Sequence, residues 1–156
     1  MTSKLILSLL LTASSSAWAS TSTAPAGLPT TDDIAEAVST VSAIQGSIES
    51  LISQAEGGNL ENDRLARDIL LRMSANIEGI VDDLDALDKL VAHKKFTEAT
   101  KKQKLICTDL NKVKSDNGNA RLGAGLPDEG NILGSDPLFD DIDHDVKDTR
   151  KVLKCK

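Results

Sequence analysis

Leu65, Ile69, Met73, Ile77, Ile80, Leu84, Leu87 and Val91 follow one another in steps of three or four, a phase that holds for about thirty residues. In a strand, successive side chains alternate between faces, so this spacing would scatter the apolar groups. In an α-helix it gathers them into one stripe. A helix with one apolar stripe must bury it against another element. Three further segments offer matching stripes: Ile34, Val38, Val41, Ile44, Ile48, Leu51 and Ala55; Ala99, Ile106, Leu110 and Val113; Leu138, Ile142, Val146, Thr149 and Leu153. No stretch alternates as a half-buried strand would. The expected fold is all-α, an antiparallel bundle of four to five amphipathic helices joined by short links.

Local signals set the helix ends. Thr30 to Asp33 matches a capping box, and Pro29 stops the first helix from extending backwards. Gly57-Gly58 ends that helix. The second starts near Asn59 or Asn62 and reads as one long helix, bent at most near Asn76–Gly79, since an interior glycine costs about 1 kcal/mol relative to alanine but need not break a helix. After a short connection from His93 to Phe96, the third helix is expected over Thr97 to Ser115. The stretch Ser115 to Asp136 holds five of the ten glycines and reads as loop, with Leu122, Leu126, Ile132 and Leu133 packing back on the body. Ser135 or Asp136 caps the last helix and Pro137 suits its first turn. Asp140, Asp141, Asp143 and Asp145 come early in it and Arg150, Lys151 and Lys154 late, an order that complements the helix dipole.

The N-terminal segment has a different character. Lys4, the apolar run from Leu5 to Leu11 and the small-x-small Ala17-Trp18-Ala19 predict a signal peptide over 1–19. Residues 20–31, rich in Ser, Thr, Ala and Pro, read as a flexible leader. The bundle domain is expected over 32–156. The apolar run is too short to span a bilayer, so the chain is not expected to be transmembrane. Export places the protein outside the cell or in the cell wall, and puts Cys107 and Cys155 in an oxidising compartment where a disulfide is expected; the alternative is two unpaired thiols. The bridge would close a loop of about 49 residues, for which the loop-entropy model gives roughly 3–4 kcal/mol.

Charge excludes some functions and leaves others open. A net charge of -6 excludes a general basic nucleic-acid binder. Residues 32–92 hold 13 acidic and 4 basic side chains, whereas 93–114 hold seven lysines against Glu98 and Asp109. The third helix is therefore a basic strip on an acidic body. It serves either internal charge balance or contact with an anionic headgroup. Asp140, His144 and Asp148 share a helix face at i, i+4, i+8 and could form half of a metal site, but no second half is evident and a solvated face explains them as well. No serine sits in a Gly-x-Ser-x-Gly turn, and the glycines from Gly118 to Gly134 match no phosphate loop. The reading is a non-enzyme with no cofactor and no metal.

The stretch Leu90-Val91-Ala92-His93-Lys94-Lys95-Phe96-Thr97-Glu98-Ala99, continued by Leu105, Asp109-Leu110, Lys112-Val113-Lys114 and Leu126-Pro127, resembles the fungal hydrophobic surface binding protein A family, which includes the cell wall galactomannoproteins. The likeness covers roughly 32–153. This chain is more acidic than is usual for that family, and its cysteine pair is not a general family feature. The resemblance implies a secreted all-α protein of the fungal cell surface that binds hydrophobic surfaces or a fatty acid or other lipid, with a secreted hydrolase as a further partner. On this reading Ile77, Ile80, Leu84, Leu87, Val91, Phe96, Ile106 and Leu110 are candidates to line an acyl channel between helices. Lys101, Lys102 and Lys104 are candidates to meet the anionic headgroup. The rival reading, from the uneven charge, is a secreted interaction protein, an effector or inhibitor, with a solid helical core and a charged partner-binding face.

Overall fold

The computed structural model describes residues 25–57, 61–125 and 133–156. The expected signal peptide over 1–19, residues 20–24 of the expected leader, Gly58, Asn59, Leu126, Pro127 and Ile132 lie outside the described residues. The described residues form four α-helices: α1 (Thr31–Gly57), α2 (Glu61–Ala92), α3 (Phe96–Gly123) and α4 (Leu138–Val152), with a 3₁₀ turn at Leu133–Ser135 ahead of α4. No strand occurs among the described residues. Each helix packs on the next, and α4 closes the ring against α1. The fold is the expected all-α bundle. No helix among the described residues is long and apolar enough to cross a membrane.

The start of α1 follows its local chemistry. The Thr30 amide donates to Asp33 Oδ2 at 2.8 Å, and the Asp33 amide donates to Thr30 Oγ1 at 3.1 Å. This reciprocal pair satisfies two amides at the helix start that have no partner within the helix. Part of the stretch expected as leader is packed: Leu28 is buried, and the Leu28 amide donates to Pro25 O in a turn, so the packed body begins ahead of residue 32.

The core is built from the stripes, with three adjustments. In α2 the first apolar contact comes from Ala66 and Leu70, and Leu65 is 55% exposed. Leu65 lies instead beside the end of α3, where a Cβ on Gly123 would stand 3.3 Å from Leu65 Cγ. In α1, Ala37 is buried and Val38 only half-buried, and in α4 Phe139 is buried and Leu138 half-buried. In each case the pattern admitted two neighbouring apolar residues, and the axial rotation of the helix against its partners chose between them.

The larger difference is α3, which continues past Ser115 to Gly123 through Asn117, Gly118 and Asn119. These are poor helix formers. Tertiary bonds hold them: buried Asn117 donates from Nδ2 to Phe139 O at 2.8 Å and to Asp143 Oδ1 at 3.1 Å. Arg121 Nη1 pairs with Asp140 at 2.6 Å, and its Nε donates to Gly134 O at 3.2 Å. The turn below requires Gly134, where a Cβ would come within 2.6 Å of Gly125 O. Leu133 packs back as expected, whereas Leu122 is 78% exposed. α2 runs unbroken through Gly79.

Both α2 and α4 end with a lysine in the left-handed region. Lys94 has φ 58° and Lys154 has φ 56°. The Lys95 amide reaches back to Leu90 O at 2.9 Å, and the Cys155 amide to Arg150 O at 2.8 Å. These are the six-to-one bonds of a Schellman turn. The second turn swings residues 153–156 off the axis of α4.

Candidate functional site

That turn brings Cys155 against α3, where it is bonded to Cys107 with the Cα atoms 5.7 Å apart. The disulfide was the pairing expected from the sequence. It fastens the last residues of the chain beside the middle of α3, and residues 25–30 lie across the same place. The side chain at the junction is Gln103, which occupies the inner stripe of α3 between Ala99 and Ile106 and is 6% exposed. Its Nε2 donates to Gly27 O at 2.8 Å and to Leu153 O at 2.7 Å. One amide group thus ties the approach to α1 and the exit from α4 onto α3, satisfying polar groups whose burial without partners is costly.

Lys154 closes the junction from the other side. Its Nζ donates to Leu28 O at 2.8 Å and pairs with Asp33 at 3.1 Å. The Thr30 amide on the Asp33 carboxylate, helped by Lys154, outweighs partial desolvation and holds the Asp33 carboxyl below its ordinary value of 3.8. A carboxylate with a depressed folded-state pKa stabilises the fold above its unfolded pKa, and that stability is lost as pH falls through the folded value. Asp33→Asn should therefore melt at a lower temperature than the native chain at pH 5 and above. The gap should shrink steadily as both are acidified below about pH 4. A thermal melt series from pH 6 to pH 2 measures it, and a gap independent of pH would mean that the ionised cap contributes nothing.

Between these three segments lies a surface cavity of about 540 Å³. From α3 come Thr100, Gln103, Lys104, Cys107, Thr108 and Asn111, which share one face because they step by one, three or four residues. Pro25 to Leu28 form a second wall, and Lys154, Cys155 and Lys156 a third. Apolar surface comes from Pro25, Ala26, Leu28 and the disulfide. Asn111 is oriented from outside: Arg150 Nη1 donates to Asn111 Oδ1 and, at 3.2 Å, to Cys107 O.

The sequence candidates divide clearly. Ile77, Ile80, Leu84, Leu87, Val91, Ile106 and Leu110 are buried in the core, with Phe96 half-buried against it. None of these eight lines the cavity. Of the three lysines, Lys104 lines it. Lys102 is half-buried in an ion pair with Asp83 of α2 at 2.7 Å, and Lys101 is exposed away from the cavity. Part of the basic strip is thus charge balance between α3 and α2. On α4, Asp140 is engaged by Arg121, and His144 Nε2 lies 3.1 Å from Asp148. Among the described residues, no three His, Cys, Asp or Glu side chains are grouped to hold a metal ion.

Gln103 is the site residue that the stripe alone did not single out. The signal was present as a polar side chain in phase with Ala99, Ile106 and Leu110. What it bonds to comes from segments 76 and 50 residues away. Compared with family models, curated proteins and solved structures, the chain matches none.

Proposed function

We propose that this chain is an exported, non-catalytic helical protein of the cell surface that binds hydrophobic matter, an acyl lipid in particular, on the outside of its bundle. The observation that carries the reading is the cavity at the α3–disulfide junction. It is open to solvent, partly walled by apolar groups and of a size usual for small-ligand sites, which run roughly 300–1,000 Å³. The resemblance of roughly residues 32–153 to the fungal hydrophobic surface binding proteins supports the same reading and adds a cell-wall setting and a secreted hydrolase as a partner. Burial of an acyl chain contributes about 0.8 kcal/mol per CH₂, so partial burial of a medium chain offsets the cost of association.

Because the inter-helix positions are filled by fully buried side chains, binding between the helices is the weaker form of the proposal. The same observation favours a second reading, an effector or inhibitor with a solid core that recognises a protein through its charged exterior. Native mass spectra of the protein, taken after exposure to a pool of fatty acids and phospholipids, separate the two. The lipid reading expects an adduct of defined stoichiometry and lipid mass. A spectrum with no adduct from the whole pool overturns it in favour of the second.

A further inference from the structure

The cavity has a polarity that the lipid reading does not require. Three lysines line it (Lys104, Lys154 and Lys156), and no Asp or Glu side chain does, in a chain with 24 acidic against 18 basic residues. Lys154 is already committed to Leu28 O and Asp33. The Lys104 ammonium makes no hydrogen bond or ion pair among the described residues, although it stands on the same face as Gln103 and Cys107. Asn111, two turns further along, has its amide oxygen held by Arg150, which leaves its Nδ2 hydrogens as donors towards the cavity. The Gln103 amide hydrogens, by contrast, are spent on the walls. The ammonium groups of Lys104 and Lys156 and the Asn111 amide hydrogens are therefore left to meet a ligand, beside the apolar surface of Pro25, Ala26, Leu28 and the disulfide.

From this arrangement we infer that the cavity is selective for an amphipathic monocarboxylate. Lys104 recognises the carboxylate, Asn111 is the second donor, and the residue 25–28 wall and the disulfide cover the apolar body. The inference rests on the lipid-binding reading above and specifies the headgroup. A charge-assisted hydrogen bond contributes more than a neutral one, so the acid should bind about tenfold or more tighter than the matching alcohol.

The test is titration of the purified protein with decanoate, decanol and acetate, followed by calorimetry and by amide NMR shifts. Decanoate should bind tightest, shifting residues 100–111 and 153–156. Lys104→Gln should bring decanoate down to the affinity of decanol, and Lys101→Gln, one residue from the cavity face, should leave it unchanged. Decanol binding as tightly as decanoate overturns the headgroup selection while the lipid reading stands. Acetate binding as tightly as decanoate shows that the apolar body contributes nothing, and overturns the amphipathic ligand. A protein that binds none of the three fails both readings. An equal loss in Lys101→Gln shows general charge attraction, and overturns the assignment to Lys104.

Discussion

Leu84→Ala should destabilise the bundle by about 2–5 kcal/mol, the range for a fully buried leucine whose surroundings relax only in part. Leu84 has no exposed surface and belongs to the stripe of α2, the helix that packs on both α1 and α3. Its removal strips contacts from the centre of the fold and leaves a void that three helices cannot collapse into together. For a domain of this size the melting temperature should fall on the order of 10 °C. The matched control is Leu122→Ala, at a position 78% exposed, which should stay within about 0.5 kcal/mol of the native chain. The pair of denaturant titrations also bears on function. Leu84 was one of eight residues proposed to line an acyl channel. A residue facing an open channel has few contacts to lose, so a cost below about 1 kcal/mol would restore the channel between the helices. A full core penalty leaves the surface cavity as the place for a ligand.

Removing the disulfide should have an effect of similar size and a different character. Cys107 and Cys155 are 48 residues apart in sequence, and release of a loop that long costs roughly 3–4 kcal/mol in the loop-entropy model. The double substitution Cys107→Ser, Cys155→Ser should lower the melting temperature by about 10 °C. The local consequence is more specific. Leu153 O accepts from Gln103, and Lys154 bridges to Leu28 O and Asp33, so the bridge holds down the residues that build two of the three cavity walls. Hydrogen exchange should accelerate first at residues 153–156 and 27–30, while the amides of α1 and α2 keep their order of protection. Loss of the proposed carboxylate binding should accompany that local opening, at temperatures where the helical signal is still intact. If exchange accelerated evenly over all four helices, the bridge would be a global brace with no particular hold on the cavity.

The helical architecture was legible because its signals are local. The eight-residue stripe of α2, the Thr30–Asp33 capping box and the Asp136–Pro137 start of α4 each act within a turn or two. Asp136 Oδ1 indeed accepts the Leu138 amide at 2.9 Å. The cysteine pairing was legible for a different reason, because an expected oxidising compartment and two cysteines leave one intramolecular bridge.

Other features depended on which elements meet. Periodicity admits Leu65 or Ala66, Val38 or Ala37, and Leu138 or Phe139, since adjacent residues differ by 100° around a helix and a stripe is wider than that. The rotation of each helix against its neighbours made the choice. The last two turns of α3 read as loop because Asn, Gly and Asn disfavour helix in isolation, and the bonds from Asn117 and Arg121 to α4 and the turn before it outweigh that preference.

By itself the sequence determined that this chain is a bundle of amphipathic helices with a bridge between its third helix and its C-terminal end, since periodicity and caps are properties of neighbouring residues and two cysteines allow one intramolecular pair. Only the tertiary structure decided where a ligand could sit. Its walls come from residues 25–28, 100–111 and 154–156, and no local pattern encodes that these segments converge. The bonds of one buried glutamine and one left-handed lysine bring them together.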